Sequence, residues 1–138
     1  MIGPDLTLQK ALRVVLAASE GVTDLVPAAS ILDRNQRPAP RPSIIMGETD
    51  LRVLSSFDRS VWSVSHTLHV WTREPSTEQA KRILSAISQA VRSERPNLDA
   101  GYSLADWRIE LVRALRDPDG ETTHGVLTIM ATVQEVMP

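Results

Sequence analysis

The stretch LRDPDGETTHGV, residues 115–126, gathers Asp117, Asp119, Glu121 and His124 around Gly120. Oxygen and imidazole ligands at this density are the raw material of a cation loop or an acid–base cluster. The spacing does not continue as a calcium loop, because Thr122 stands where a further oxygen ligand is wanted and no bidentate glutamate closes the run. Asp117-Pro118-Asp119-Gly120 instead places proline where a turn fixes φ and glycine where a turn needs positive φ. These four residues are expected to form a structural turn between two strands and to hold no metal.

The histidines point the same way. His66 and His69 are three apart in a run with strand composition, so they face opposite sides, unlike the helical i, i+4 pair of zinc enzymes. Only one of them can join His124. A single histidine on an apolar strand face, as His66 is, suits a hydrogen-bonded core position, and His124 just past a turn suits a surface or cross-strand role. No Ser-His-Asp order, paired-carboxylate motif or glycine-rich phosphate loop stands out. The chain therefore reads as a protein without catalytic activity, cofactor or metal.

Partner contacts are the remaining chemistry. The run DRNQRPAPRP, residues 33–42, holds three prolines and three arginines and no apolar face, so it is expected as an exposed loop whose Arg34, Arg37 and Arg41 offer forked donors to a protein partner. Trp71 falls on the strand face opposite Trp62, Leu68 and Val70 and needs cover, either from an N-terminal segment of the same chain or from a neighbouring subunit. Arg34, Arg37, Arg41 and Trp71 are the expected partner-binding residues.

Whole-chain properties narrow the classes further. At 138 residues the chain suits one domain, 1–138. A net charge of −2 gives no electrostatic reason to seek nucleic acid or an acidic membrane surface. With no cysteine there is no disulfide framework, thiolate metal site or cysteine nucleophile. Apolar runs such as VVLAA are too short to span a bilayer and the start lacks a signal-peptide pattern, so a soluble protein made in the cytoplasm is expected.

Elements that position these residues follow from periodicity. In residues 5–19, Leu8, Ala11, Leu12, Val15 and Leu16 form one helical stripe, with Asp5 as cap and Gly21 as stop. Residues 43–54 and 61–73 read as two strands joined by SSFDRS, with Trp62, Val64, His66, Leu68 and Val70 on the core face of the second. Residues 76–95 form a second helix, with a Ser76–Gln79 capping box, a stripe of Ala80, Ile83, Leu84, Ile87, Ala90 and Val91, and Pro96 at its end. Strands over 105–116 and 123–135 follow. In the first, Trp107, Ile109, Leu111 and Leu115 alternate with Arg108, Glu110, Val112 and Ala114; in the second, Leu127, Ile129, Ala131 and Val133 lie together. Helix, hairpin, helix, hairpin is an α+β pattern: a mostly antiparallel sheet of four to five strands with two main helices on one face.

In this order, Leu68-His69-Val70-Trp71-Thr72-Arg73, the following helix, Arg116-Asp117-Pro118-Asp119-Gly120 and His124-Gly125 resemble the small tail-completion, or tail-terminator, proteins of long-tailed bacteriophages and gene transfer agents. The resemblance runs from near residue 6 to about residue 133, and departs at Thr123, where many members carry an aromatic residue, and in the long basic loop. It implies a structural protein that forms a hexameric ring, caps the tail tube, and joins the tail to the head through a connector or neck protein. Its place would be the tail end next to the head, and an isolated subunit is compatible with a monomer. The rivals are a head-side neck (head completion) protein and, in another class, a small hydrolase or ligand-binding domain using His66, His124 and the nearby acids.

Overall fold

The structure is a computed structural model and describes residues 2–33 and 40–136. Arg34 and Arg37 of the basic loop lie outside the described residues.

The apolar stripe of the first helix is buried as the periodicity requires. Helix α1 (Pro4–Ala18) buries Leu8, Ala11, Leu12, Val15 and Leu16. Its expected ends differ. Gly3 is the N-cap and Pro4 opens the first turn, where a missing N–H is harmless, while the Asp5 carboxylate accepts only from the adjacent Leu6 N–H. The helix stops at Ser19, two residues before Gly21, because Ser19 turns extended and caps a further turn, α2 (Glu20–Thr23), by accepting from Val22 N–H.

A single 3-10 turn, Ala28–Ser30, leads into the two-residue strand β1 (Ile31–Leu32). Then come β2 (Ser43–Ser55), β3 (Val61–Arg73), helix α3 (Glu78–Ser93), β4 (Tyr102–Arg116) and β5 (Thr122–Glu135). The strands lie in the order β1-β2-β3-β5-β4, with β1 parallel to β2 and every other pair antiparallel. This is an α+β fold with a mostly antiparallel sheet. Because β5 sits between β3 and β4, the two hairpins are joined through β3 and β5, and the residues of these two central strands become direct neighbours.

One sheet face carries the core. Val64, His66, Leu68 and Val70 of β3 and Leu127, Ile129, Ala131 and Val133 of β5 are buried beneath α1 and α3. Each fully buried Leu or Ile contributes roughly 1.5–3 kcal/mol through removal from water, so this layer dominates the fold's stability. Helix α3 buries the expected stripe, but a different group caps it. The Glu74 carboxylate accepts from Gln79 N–H and Ala80 N–H, both at 2.9 Å, while Ser76 donates to Glu74 and accepts from Glu78 N–H at 3.3 Å. A carboxylate suits the positive end of the helix better than a hydroxyl, which is why Glu74 displaces the Ser76–Gln79 box.

Strand β4 also departs from simple alternation. A β-bulge at Glu110 offsets the register between Ile109 and Leu111. Trp107 and Ile109 stay on the core face, joined by Val112 and Ala114, while Leu111 and Leu115 turn to the open face with Arg108 and Arg113. One extra residue in a strand reverses every side chain after it.

Candidate functional site

The open face of the sheet, which no helix covers, brings together residues that are distant in sequence. Ladder pairing sets Trp71 opposite His124 and His69 opposite Val126. The His124 ring lies flat on the Trp71 indole, with centroids 3.9 Å apart and planes within 3°. Cover for Trp71 therefore comes from a cross-strand histidine of the same chain rather than from its N-terminal segment.

His69 extends the cluster. Its Nδ1 is 2.8 Å from His124 Nε2, and its Nε2 is 2.6 Å from the Glu48 carboxylate. With both rings neutral, every bond is satisfied when His124 donates from Nε2 to His69 and His69 donates from Nε2 to Glu48. The His69 hydrogen bond holds the Glu48 carboxyl below its ordinary range, and burial pushes His124 down, disfavouring a second proton. Gly47 makes the approach possible, since a Cβ there would stand 2.5 Å from His69 Cδ2 and 2.8 Å from the Thr67 carbonyl oxygen. The sequence places His69 and Trp71 on one face; the β3–β5 pairing that adds His124, and the register shift between Met46 and Thr49 of β2 that adds Glu48, are tertiary facts with no local signal.

His66 stands apart on the core face. It is fully buried, its Nδ1 pairs with Thr49 Oγ1 at 2.7 Å, and its Nε2 has no protein partner. Burial pushes its pKa down to about 4, so it is a neutral core residue at physiological pH.

The acidic stretch is a tight connection. Asp119 Oδ1 accepts from Glu121 N–H at 2.9 Å and Thr122 N–H at 2.8 Å, and its Oδ2 accepts from the Thr122 hydroxyl at 2.6 Å. Asp117 Oδ1 accepts from Asp119 N–H at 3.0 Å, and Gly120 takes φ +76°. The Thr122 hydroxyl, the two N–H donors and the nearby positive charge of Arg41 hold the Asp119 carboxyl low. Both carboxylates are consumed by the turn. Among the described residues no group of three or more His, Asp or Glu side chains is arranged to hold a metal ion.

Arg41 is exposed and lies two residues before the first residue of β2, Ser43, which pairs with Trp71. Arg41, the Trp71–His124 stack and the Asp117–Gly120 turn thus share one end of the sheet. Elsewhere a groove of about 610 Å³ lies between α1 and the C-terminal half of α3. There the Thr7 hydroxyl donates to the Asp99 carboxylate at 2.8 Å, and Lys10 pairs with the same carboxylate at 3.3 Å. Among the described residues no helix is long and apolar enough to cross a membrane.

Comparison with known proteins accounts for a site made of surfaces and turns. The chain is 25% identical over 100 residues to the tail completion protein gp17 of Bacillus phage SPP1, a match spanning 68% of this chain and 69% of that protein. Its fold is similar to a chain in the virion of a native gene transfer agent particle, with a TM-score of 0.81 at 21% identity over 92% of this chain and 94% of that one. It is also similar to the solved structure of the bacteriophage SPP1 gp17 protein, with a TM-score of 0.63 at 20% identity over 93% and 89% of the two chains. The family model of tail completion protein gp17 matches residues 10–134, nearly the whole length, and the chain belongs to that family of structural tail-completion proteins.

Proposed function

We propose that this protein is a tail terminator: a ring of subunits, six in number, that seats on the end of the tail tube, stops its growth and presents a docking surface to the connector or neck of the head. The observation that carries the reading is the family match over residues 10–134, supported by the likeness of fold to a chain of an assembled gene transfer agent particle. The geometry suits a structural part. The Asp117–Gly120 turn and the Glu48–His69–His124 cluster are hydrogen-bonded internally, and the most distinctive side chains lie on an uncovered sheet face. The chain forms one domain and acts without catalysis, cofactor or metal.

The axial contact is assigned to the end of the sheet where Arg41 and Trp71 lie, together with Arg34 and Arg37 of the same loop. Arginine forks recognise carboxylates on a partner, and a proline-rich loop loses little further freedom on docking. Asp117, Pro118, Asp119 and Gly120 serve this end as a rigid turn.

The test mixes purified protein with assembled tail tubes and images them by electron microscopy. Density capping one end of each tube is the expected result, and a variant with Arg34, Arg37 and Arg41 all changed to alanine should fold but cap less often. Tubes left bare at both ends, or decorated along their length, contradict the terminator reading; capping undiminished in the variant removes the arginines from the contact.

A further inference from the structure

Both outer edges of the sheet are open among the described residues, and they are complementary. On β2, strand β1 pairs only with Ile44 and Ile45, leaving Gly47–Ser55 without an outer neighbour. On β4, Arg95 donates to the Leu104 carbonyl, but the stretch from Asp106 to Arg116 has no strand on its outer side among the described residues. Each edge exposes apolar side chains: Leu51, Val53 and Leu54 on β2, and Leu111, Val112 and Leu115 on β4. Long, open, apolar edges are sites of strand addition, and soluble proteins ordinarily blunt them.

Register and charge match one edge to the other. Asp50 pairs with Ser65, Ser65 with Met130 and Met130 with Arg108, so these four residues form one row across the open face. The next row runs Arg52, Ser63, Thr132, Asp106. Each row begins with one sign of charge on the β2 edge and ends with the opposite sign on the β4 edge. Because β4 runs antiparallel to β2, a second copy placed beside the first in the same orientation sets the two edges antiparallel. Arg108 then faces Asp50, and Asp106 faces Arg52. Two copies meeting through the same edge, two-fold about Leu51 or Trp107, would also oppose opposite charges, but such an isologous contact ends at a dimer, so it is the ring that selects the heterologous pairing.

We propose that the β4 edge of one copy adds to the β2 edge of the next, joined by the Arg108–Asp50 and Asp106–Arg52 pairs. The contact is heterologous, using a different edge on each side, and such contacts close into rings when the rotation per subunit permits. The inference rests on the ring reading above and specifies the contact from which that ring is built.

The absence of native cysteine makes cross-linking a clean test. Particles are assembled with chains carrying Asp50→Cys and Arg108→Cys together, or either alone, oxidised, and run on a denaturing gel without reductant. The pair should give a ladder extending beyond dimers, and the single variants none beyond a dimer. Particles that retain the chain at the tail end yet give no ladder contradict edge pairing while leaving the ring reading intact; a chain missing from wild-type particles overturns both. Charge exchange guards against a misfolded cysteine variant. Asp50→Arg or Arg108→Asp alone should lower incorporation roughly tenfold, since like charges then face across the contact, and the two together should restore it. A double variant no better than the singles overturns the proposal.

Discussion

His69 Nδ1 stands 2.8 Å from His124 Nε2, although the two residues are 55 apart in sequence and lie on different strands. The bond continues through His69 to Glu48 and, by stacking, through His124 to Trp71, tying β2, β3 and β5 together on the side of the sheet that no helix covers.

Removing His124 should therefore loosen the open face. His124→Ala loses both the stack and the hydrogen bond and should cost about 2 kcal/mol, while His124→Phe keeps an aromatic cover and should cost about half as much. Urea denaturation followed by tryptophan fluorescence measures both; equal losses would show that stacking contributes nothing.

Acid should destabilise the fold through His66. Its folded-state pKa lies near 4, below the ordinary 6.5, so the folded protein resists a proton that the unfolded chain accepts. Stability is then full above the unfolded value and falls as pH drops from 6.5 towards 4, by up to about 3 kcal/mol. His66→Leu should flatten the stability profile over that window. A profile as steep as the wild type's would assign the acid sensitivity to other groups.

Gly120 has positive φ but open space around it, with nothing within 4 Å of a Cβ built there. Gly120→Val should thus pay only backbone strain, roughly 1 kcal/mol or more. Asp119→Ala should weaken the turn without changing metal content by elemental analysis. Stoichiometric metal that disappears in that variant would contradict a purely structural turn.

Gly47 is limited by close approach instead. Gly47→Ala should destabilise by roughly 1–3 kcal/mol as β2 shifts away. Adding His69→Ala should recover only part of that loss, because the Thr67 carbonyl still blocks the new methyl at 2.8 Å. Complete recovery would mean that the imidazole alone sets the limit.

The features legible in the sequence are those made by neighbours in the chain. The Asp117–Gly120 turn chemistry, the α3 stripe from Ala80 to Val91 and the alternation of Val64, His66, Leu68 and Val70 all depend on spacing within one element. The Glu110 bulge is a single-residue irregularity that leaves no compositional mark, so the expected grouping of Leu111 and Leu115 with Trp107 and Ile109 failed. The Glu74 cap was hidden because the residue lies outside the helix and wins on charge rather than on motif position. The cluster was legible in part: His69 and Trp71 share a face by alternation, but their meeting with His124 depends on β5 inserting beside β3, a choice made by the whole sheet.

If this protein ends the growth of a tail tube and readies the tail for its head, its loss changes both tail length and head attachment. Deleting its gene and measuring tail length and head attachment by electron microscopy tests it most directly. Tails of abnormal length, unattached to heads, are expected, with normal particles restored by the intact gene. Normal-length tails joined to heads in the deletion would contradict it, and tails of normal length that merely fail to attach would favour a head-side neck protein.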